Sequence, residues 1–548
     1  MKKPMIGVLE GLLFKNSGVK GWLSVVVLLF PILGIAQDGY NRDRGFDVKH
    51  YVFELELSDR SDSLYGKTSI DLKLTDRTDE IQLDLVQSAK GKTGMTVSAV
   101  SALNFGVSFK QKKDVLYINL GEFYDTGKEM QVVVEYSGIP ADGLIIGENK
   151  FGDRTFFGDN WPNRAHHWLP LVDHPYDKAT LEFKVTAPEY YSVVSNGALK
   201  EISHIGNGQK LTHWISSKEL PTKVMVVGVA RFAMDISGEV NGHEVSAWVY
   251  PQEREKGFYD YARATDILRW FEKKIAPYPY EKLANVQSKT RYGGMENAGC
   301  IFYHENSIDG KRGEEPLLTH EIAHQWFGNS ASEADWHHVW LSEGFATYLT
   351  EVFKQDVYGE AAFDKGMNQA GERVKRYLKV NPKSAIIDTN IRDLNRLLTP
   401  STYQKAAWFL HTLRSYVGDR AFWTGVKEYY ETYQYSNAWS EDLREMLEKA
   451  SGKDLKPLFD TWLYNPGIPT VAYTWEYDEA SKKAVVQIIQ EQDKPFALPV
   501  QIEVVSAGDE QMLHDYLVTD KEWKVEFPMD QAPKAINWSS KSLLINRK

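Results

Sequence analysis

The stretch Thr319-His320-Glu321-Ile322-Ala323-His324 sets two histidines four residues apart with an acid between them. On a helix, positions four apart share one face. Two neutral imidazoles held that way form a ready pair of zinc ligands, and Glu321 lies where it can reach a water on the ion. A catalytic zinc site takes three protein ligands and keeps a fourth position open. The candidate for the third is Glu343, in Trp340-Leu341-Ser342-Glu343-Gly344-Phe345-Ala346, with eighteen residues between it and His324. A loop and a returning helix bring a carboxylate back beside the imidazoles over such a span. Alone, Glu343 reads as a solvated acid in the first turn of a helix, where the dipole favours it. In combination the three read as a metal set.

A further run, Gly293-Gly294-Met295-Glu296-Asn297, begins twenty-seven residues before His320. With the His-Glu-x-x-His segment, His324-Gln325-Trp326-Phe327-Gly328-Asn329 and Trp340 to Tyr348, it resembles the gluzincin metallopeptidases. The closer resemblance is to the zinc aminopeptidase family that contains aminopeptidase N and the leukotriene hydrolase, peptidase family M1. The likeness runs from the first β-rich region almost to the end of the chain, and it implies one Zn2+ per chain, held by His320, His324 and Glu343. Glu321 is then the general base on the zinc-activated water, returning the proton to the leaving amine. Glu296 pairs with the free α-ammonium of a peptide, which sets the cut one residue from that amine. Gly293 and Gly294 let an extended substrate lie close to the backbone. Met295 lines the pocket for the first side chain, and Asn297 completes the substrate-binding run. Tyr403, in Ser401-Thr402-Tyr403-Gln404-Lys405-Ala406, corresponds to the family's Tyr-x-Lys-Gly segment with Ala406 in place of Gly, and is the expected hydroxyl donor to the oxyanion. The family's amine-binding Gln in the first domain is missing from Phe157 to Pro170; Asn160 or Asn163 is the candidate substitute. A large helical C-terminal domain, present in many relatives, is not expected.

The rest of the composition fits a scaffold around that site. A formal net charge of -11 over 548 residues disfavours a general nucleic-acid binder, which would show a basic field. Lys2, Lys3, Lys15 and Lys20 precede an uncharged run from Gly21 to Gln37, broken by Pro31 and Gly34 and ending in Gly34-Ile35-Ala36. This reads as a signal peptide over 1–36, cleaved after Ala36, rather than a membrane anchor, since the run sits at the short limit for a span. The mature chain is expected to be exported, periplasmic or extracellular, with no stable membrane anchor. Cys300 is the only cysteine, so no intramolecular disulfide forms, and its neighbours Ala298, Gly299, Ile301 and Phe302 make it a small buried apolar residue. His166, His167, His337 and His338 sit in Trp-rich segments and read as packing or surface residues.

The elements that must position the site follow from periodicity. From about Asp47 to Gly238 apolar residues alternate, as in Tyr51, Phe53, Leu55 and Leu57, which predicts half-buried strands of antiparallel sheets. Phe258 to Ile275 reads as one amphipathic helix. Helices are then expected over the metal motif, Ser342 to Tyr358, Tyr403 to Val417, Asp419 to Tyr433, and Ser440 to Ala450 with Ser440 as N-cap. Asn465-Pro466-Gly467-Ile468-Pro469 marks a boundary, after which alternation returns. The predicted class is multidomain α+β. It comprises an N-terminal β-domain (45–250), a thermolysin-like, mainly helical zinc catalytic domain (251–465) and a small C-terminal β-sandwich (469–548). The function expected is a zinc aminopeptidase acting on peptides with a free N-terminus. Two other readings are epoxide hydrolysis at the same zinc and a peptide-binding homologue without activity.

Overall fold

The computed structural model describes residues 38–88, 92–539 and 542–547. The expected signal peptide, 1–36, lies outside the described residues. No helix among the described residues is long and apolar enough to cross a membrane.

The first region is built on an eight-stranded sheet whose middle holds Phe46–Ser58, Ser61–Leu74 and Glu129–Ile139. Alternation in Phe46–Ser58 buries Tyr51, Phe53 and Leu55 on one face and leaves the residues between them less covered, as a strand with one face to the core requires. The sheet is not wholly antiparallel, as the alternation had suggested. Phe46–Ser58 pairs in parallel with Lys178–Pro188, setting Phe53 opposite Phe183 with ring centroids 5.0 Å apart. Parallel neighbours need a long crossover, and more than a hundred residues of chain separate these two. A four-stranded sheet formed by Ser192–Ser195, Val227–Ala230, Arg154–Gly158 and Leu144–Glu148 continues the region.

The expected division at 250/251 cuts through a sheet and is corrected by it. Ala233–Val240 and His243–Val249 belong with Lys282–Ser288, Cys300–His304 and the short edge strand Gly294–Met295 in one five-stranded sheet. Every residue of Lys282–Ser288 is buried, because the strand runs parallel to both its neighbours inside the sheet. A strand covered on both faces carries no alternation, which is why this stretch was read as part of a helical region. The single helix expected over Phe258 to Ile275 is two, Arg254–Tyr261 and Arg263–Lys274.

The helices next to the site are Glu315–Ala323, Trp340–Tyr358 and Glu360–Val380, the last not expected from sequence. Gly359 separates the two long ones at φ +88°, a left-handed conformation that glycine adopts without strain. Ala406–Val417, Asp419–Tyr433, Ser440–Ser451 and Lys456–Tyr464 complete the set. Ser440 is not an N-cap. That place belongs to Trp439, whose backbone N–H donates to the Asp442 carboxylate at 2.7 Å, while the Ser440 hydroxyl bonds His338 Nδ1 at 2.7 Å. The chain then forms a four-stranded sheet and a three-stranded sheet over residues 470–547. Tyr473 and Trp538 bring their rings to 5.7 Å from one sheet to the other. Trp462 Nε1 donates to Ala497 O at 2.8 Å and ties the last helix to these strands.

Candidate active site

The helix Glu315–Ala323 has Pro316 in its first turn, where a missing N–H costs nothing. His320 lies in its last turn and His324 caps its C-terminus. His320 Nε2 and His324 Nε2 approach to 3.1 Å, and Glu343 Oε2 lies 3.2 Å and 3.3 Å from them. Zn–N bonds of about 2.0–2.1 Å put two tetrahedral ligand atoms about 3.3 Å apart, so the three donor atoms sit on the edges such an ion requires. Among the described residues this is the one group of three or more His, Cys, Asp or Glu able to hold a metal. His324 Nδ1 faces Phe327 O at 3.1 Å and Ser342 Oγ at 2.9 Å. Those bonds hold the proton on Nδ1 and turn the Nε2 lone pair toward the metal position. Ser342 precedes Glu343, so the helix that supplies one ligand also supplies the hydroxyl that orients another. Gly328 makes the turn between them at φ +117°, where a Cβ would lie 2.1 Å from Ser342 Oγ. Burial opposes ionisation of Glu343, yet the two imidazoles outweigh it and hold its carboxyl well below the usual range.

The remaining sequence-predicted residues gather around this group, with two exceptions. Glu321 is buried, and burial together with the neighbouring Glu296 and Glu343 carboxylates pushes its carboxyl well above the ordinary range. Gly294 is what leaves it room: a Cβ there would lie 2.4 Å from Glu321 Oε1. The two-glycine run therefore clears a path for the acid as well as for a substrate. Gly294→Ala is expected to displace the Glu321 carboxylate by about an ångström and to lower turnover about 100-fold, with the metal content of the purified protein unchanged; loss of metal would show that the damage lies elsewhere.

Glu296 is 5% exposed and its Oε1 has no hydrogen-bond partner among the described residues. Its backbone carbonyl is clamped by Gln325 Nε2 at 2.8 Å and Asn329 Nδ2 at 2.6 Å, and Gln325 Oε1 accepts from Gly299 N at 2.8 Å. Gln325 and Asn329 thus fasten the loop that carries Glu296 to the end of the metal-binding helix. Both lie in a motif recognised in the sequence but without a role. Only their placement under an edge strand distant in sequence supplies one.

Tyr403 lies in a π-helical turn, Ser401–Lys405, rather than in a regular helix, a form that recurs at functional sites. Its ring stacks on His320 with centroids 6.0 Å apart and planes 16° from parallel. Burial raises its phenol, and the Glu343 carboxylate adds to that.

Asn160 is the first exception. It is fully buried; its Nδ2 donates to Met225 O at 2.6 Å, and its Oδ1 accepts from Trp168 Nε1 at 2.9 Å. Releasing that amide would leave buried groups unpaired at about 1–3 kcal/mol each, so Asn160 is a structural residue and not a substitute amine ligand. Asn297 is the second: it is fully buried and lines neither of the two cavities at the metal group. The smaller cavity, about 50 Å³, is lined by Met295, Glu296, His320, Glu321, His324, Glu343 and Tyr403, and also by Trp161, Tyr292 and Leu398, which sequence reasoning missed. The larger, about 840 Å³, shares Gly294, His320, Glu321 and Tyr403 but not Glu296, with Gly293 also in its wall. His166, His337 and His338 are taken up by Asp173, Asp335 and Ser440, as packing roles require. Cys300 is fully buried, and burial raises its thiol to about 11.

A metal-binding helix followed by a carboxylate ligand on the next helix is the arrangement of the gluzincin class. Residues 47–224 match the Peptidase M1 N-terminal domain and residues 259–462 the Peptidase family M1 domain, and the chain belongs to peptidase family M1. The ion that its His-His-Glu group holds is accordingly zinc. The chain is similar to aminopeptidase N of Lactococcus lactis subsp. lactis, 29% identical over 69% of this chain and 47% of that protein. It is also similar to the alanine/arginine aminopeptidase of Saccharomyces cerevisiae, 25% identical over 77% of this chain and 52% of that one. The M1 zinc metallopeptidase from Deinococcus radiodurans superposes with a TM-score of 0.66 at 25% identity, covering 78% of this chain and 95% of the other. The chain spans about half the length of the curated relatives it matches.

Proposed function

We propose that this protein is an exported zinc aminopeptidase that hydrolyses the first peptide bond of peptides with a free N-terminus. The observation that carries the reading is the buried Oε1 of Glu296, which has no hydrogen-bond partner among the described residues, in a small cavity that the metal donors also line. A buried carboxylate without a partner is costly, and a substrate ammonium supplies the missing charge. Zinc, when bound, supplies the Lewis acidity that activates water and polarises the carbonyl. Glu296 fixes the amine and so selects the bond one residue away. Glu321 accepts the proton of the attacking water and delivers it to the leaving nitrogen. Tyr403 donates its O–H to the oxygen on which negative charge develops. Met295, Trp161, Tyr292 and Leu398 wall the space left for the first side chain.

The three-part division, with its boundary moved ahead of Ala233, belongs to the same reading, as does a sandwich of the two C-terminal sheets. The proposed export rests on the basic leader, the apolar run and Gly34-Ile35-Ala36. The relatives named above are aminopeptidases by name, which lends epoxide hydrolysis no support, and the presence of Glu321, Glu296 and Tyr403 at the metal group argues against an inactive binding protein. The test compares aminoacyl fluorogenic substrates with their N-acetylated forms. The free amines are expected to react at least 100-fold faster by kcat/KM, a ratio that Glu296→Gln reduces to within a few-fold of one. Equal rates for the two forms on the unaltered protein would sink the exopeptidase reading.

A further inference from the structure

A separate cavity, about 540 Å³, lies against the Tyr403 turn and is lined by none of the metal donors, nor by Glu296, Glu321 or Tyr403. Its size falls within the roughly 300–1,000 Å³ typical of small-molecule sites. His337 and Val339 form one wall, immediately ahead of the helix Trp340–Tyr358 that carries Glu343. Leu397, Thr399 and Thr402, which lead into and enter the π-helical turn Ser401–Lys405, form another. Two backbone hydrogen bonds join these walls to the catalytic groups. Glu343 N–H donates to Val339 O at 3.0 Å, and Tyr403 N–H donates to Thr399 O at 3.1 Å. Thr399 also lines the active-site cleft, so one residue stands in the walls of both spaces.

The lining is of two chemical kinds. Val339, Ala385, Ile386 and Leu397 are apolar and buried. Lys383 and Arg396 are exposed, and neither side chain has a hydrogen bond or ion pair to any described residue. The one acid in the lining, Asp388, accepts from Asn390 N at 3.0 Å and from Asn390 Nδ2 at 2.9 Å. In a chain of net charge -11, two such cations beside an apolar surface reverse the prevailing sign locally. They complement an anion that also carries an apolar body, since a charged hydrogen bond fixes the head and burial holds the rest.

We infer that this cavity is an effector site for a small organic anion with an apolar body, received by Lys383 and Arg396, and that its occupant alters turnover through the backbones of Glu343 and Tyr403. A ligand seated between Val339 and the 397–402 segment fixes the third metal ligand and the oxyanion donor relative to one another. Catalysis is sensitive to such placement, with about 100-fold lost for an ångström, so a small adjustment registers in kcat. The effector role rests on the aminopeptidase reading; the binding does not, and calorimetry measures it without activity. The probes are N-acetyl-leucine, a carboxylate, and phenyl phosphate, a phosphate monoester. N-acetyl-leucinamide lacks the charge and inorganic phosphate lacks the apolar body. None of the four has a free amine for Glu296.

At least one of the two organic anions is expected to bind about ten-fold more tightly than both controls, the scale of one charged hydrogen bond. Lys383→Gln with Arg396→Gln should weaken that binding by about the same factor. The double variant should keep its zinc content, its Tm and, with no anion present, its rate on alanyl p-nitroanilide. At saturation the anion should change kcat on that substrate about two-fold or more while KM holds. Binding of only the carboxylate, or only the phosphate, identifies the head group and supports the site. Equal binding of anions and controls, or binding that survives the double variant, overturns the inference. So does an anion that raises KM and leaves kcat alone, which would place it in the active-site cleft. A protein that binds the anion as expected but hydrolyses no nitroanilide would count against the aminopeptidase reading and the effector role, and leave the binding site standing.

Discussion

Glu321→Gln is expected to lower kcat by about 10³- to 10⁴-fold, the upper part of the range for removing a positioned acid–base group. The amide has the size of the carboxylate, so it still fits against Gly294, where the gap to a hypothetical Cβ is only 2.4 Å. The metal donors are untouched, because the substitution changes none of His320, His324 and Glu343, which stand against one another. Zinc content by atomic absorption should therefore equal that of the unaltered protein, and KM should change by no more than a few-fold. Stability should not fall. Glu321 shares a buried pocket with two other carboxylates, and burial already opposes its charge; a neutral amide relieves that conflict. A lowered Tm, or a kcat within ten-fold of the original, would remove Glu321 from the role of base.

Tyr403→Phe is expected to lower kcat by about 10²- to 10³-fold with KM little changed, the signature of a donor that acts where charge develops. The substitution deletes one hydroxyl and keeps the ring. Stacking on His320 depends on the ring alone, and the π-turn Ser401–Lys405 is held from other positions, such as Thr402 Oγ1 donating to Leu397 O at 2.6 Å and Lys405 Nζ donating to Asn465 O at 2.9 Å. The metal group should persist, as zinc content would verify. If KM rose ten-fold and kcat held, Tyr403 would be a binding residue and not the oxyanion donor.

The chemistry was legible in the sequence because it is carried by residue types at short, set spacings. His320 and His324 fall on one helical face whatever surrounds them, and Glu343 follows on a helix of its own. The alternation of Tyr51, Phe53 and Leu55 likewise marks a strand with one buried face. Where period and burial part company the reading failed. Lys282–Ser288 is buried on both faces and has no alternation, so the sheet whose edge strand leads into Glu296, and which spans the expected division at 250/251, leaves no periodic signal in the sequence. Asn160 was misassigned because a buried asparagine and a ligand-binding one look alike until their partners are known.

By itself, then, the sequence picked out the metal-binding set and the acid between its histidines, which a helix brings to one face, and, through its resemblance to the family, the Glu296 run. Tertiary structure alone decided what those residues touch. It set Gly294 against Glu321, fastened Glu296 through Gln325 and Asn329, and spent Asn160 on Met225 and Trp168. These are contacts between residues 8 to 65 positions apart, created by strand order and helix packing, and no spacing along the chain encodes them.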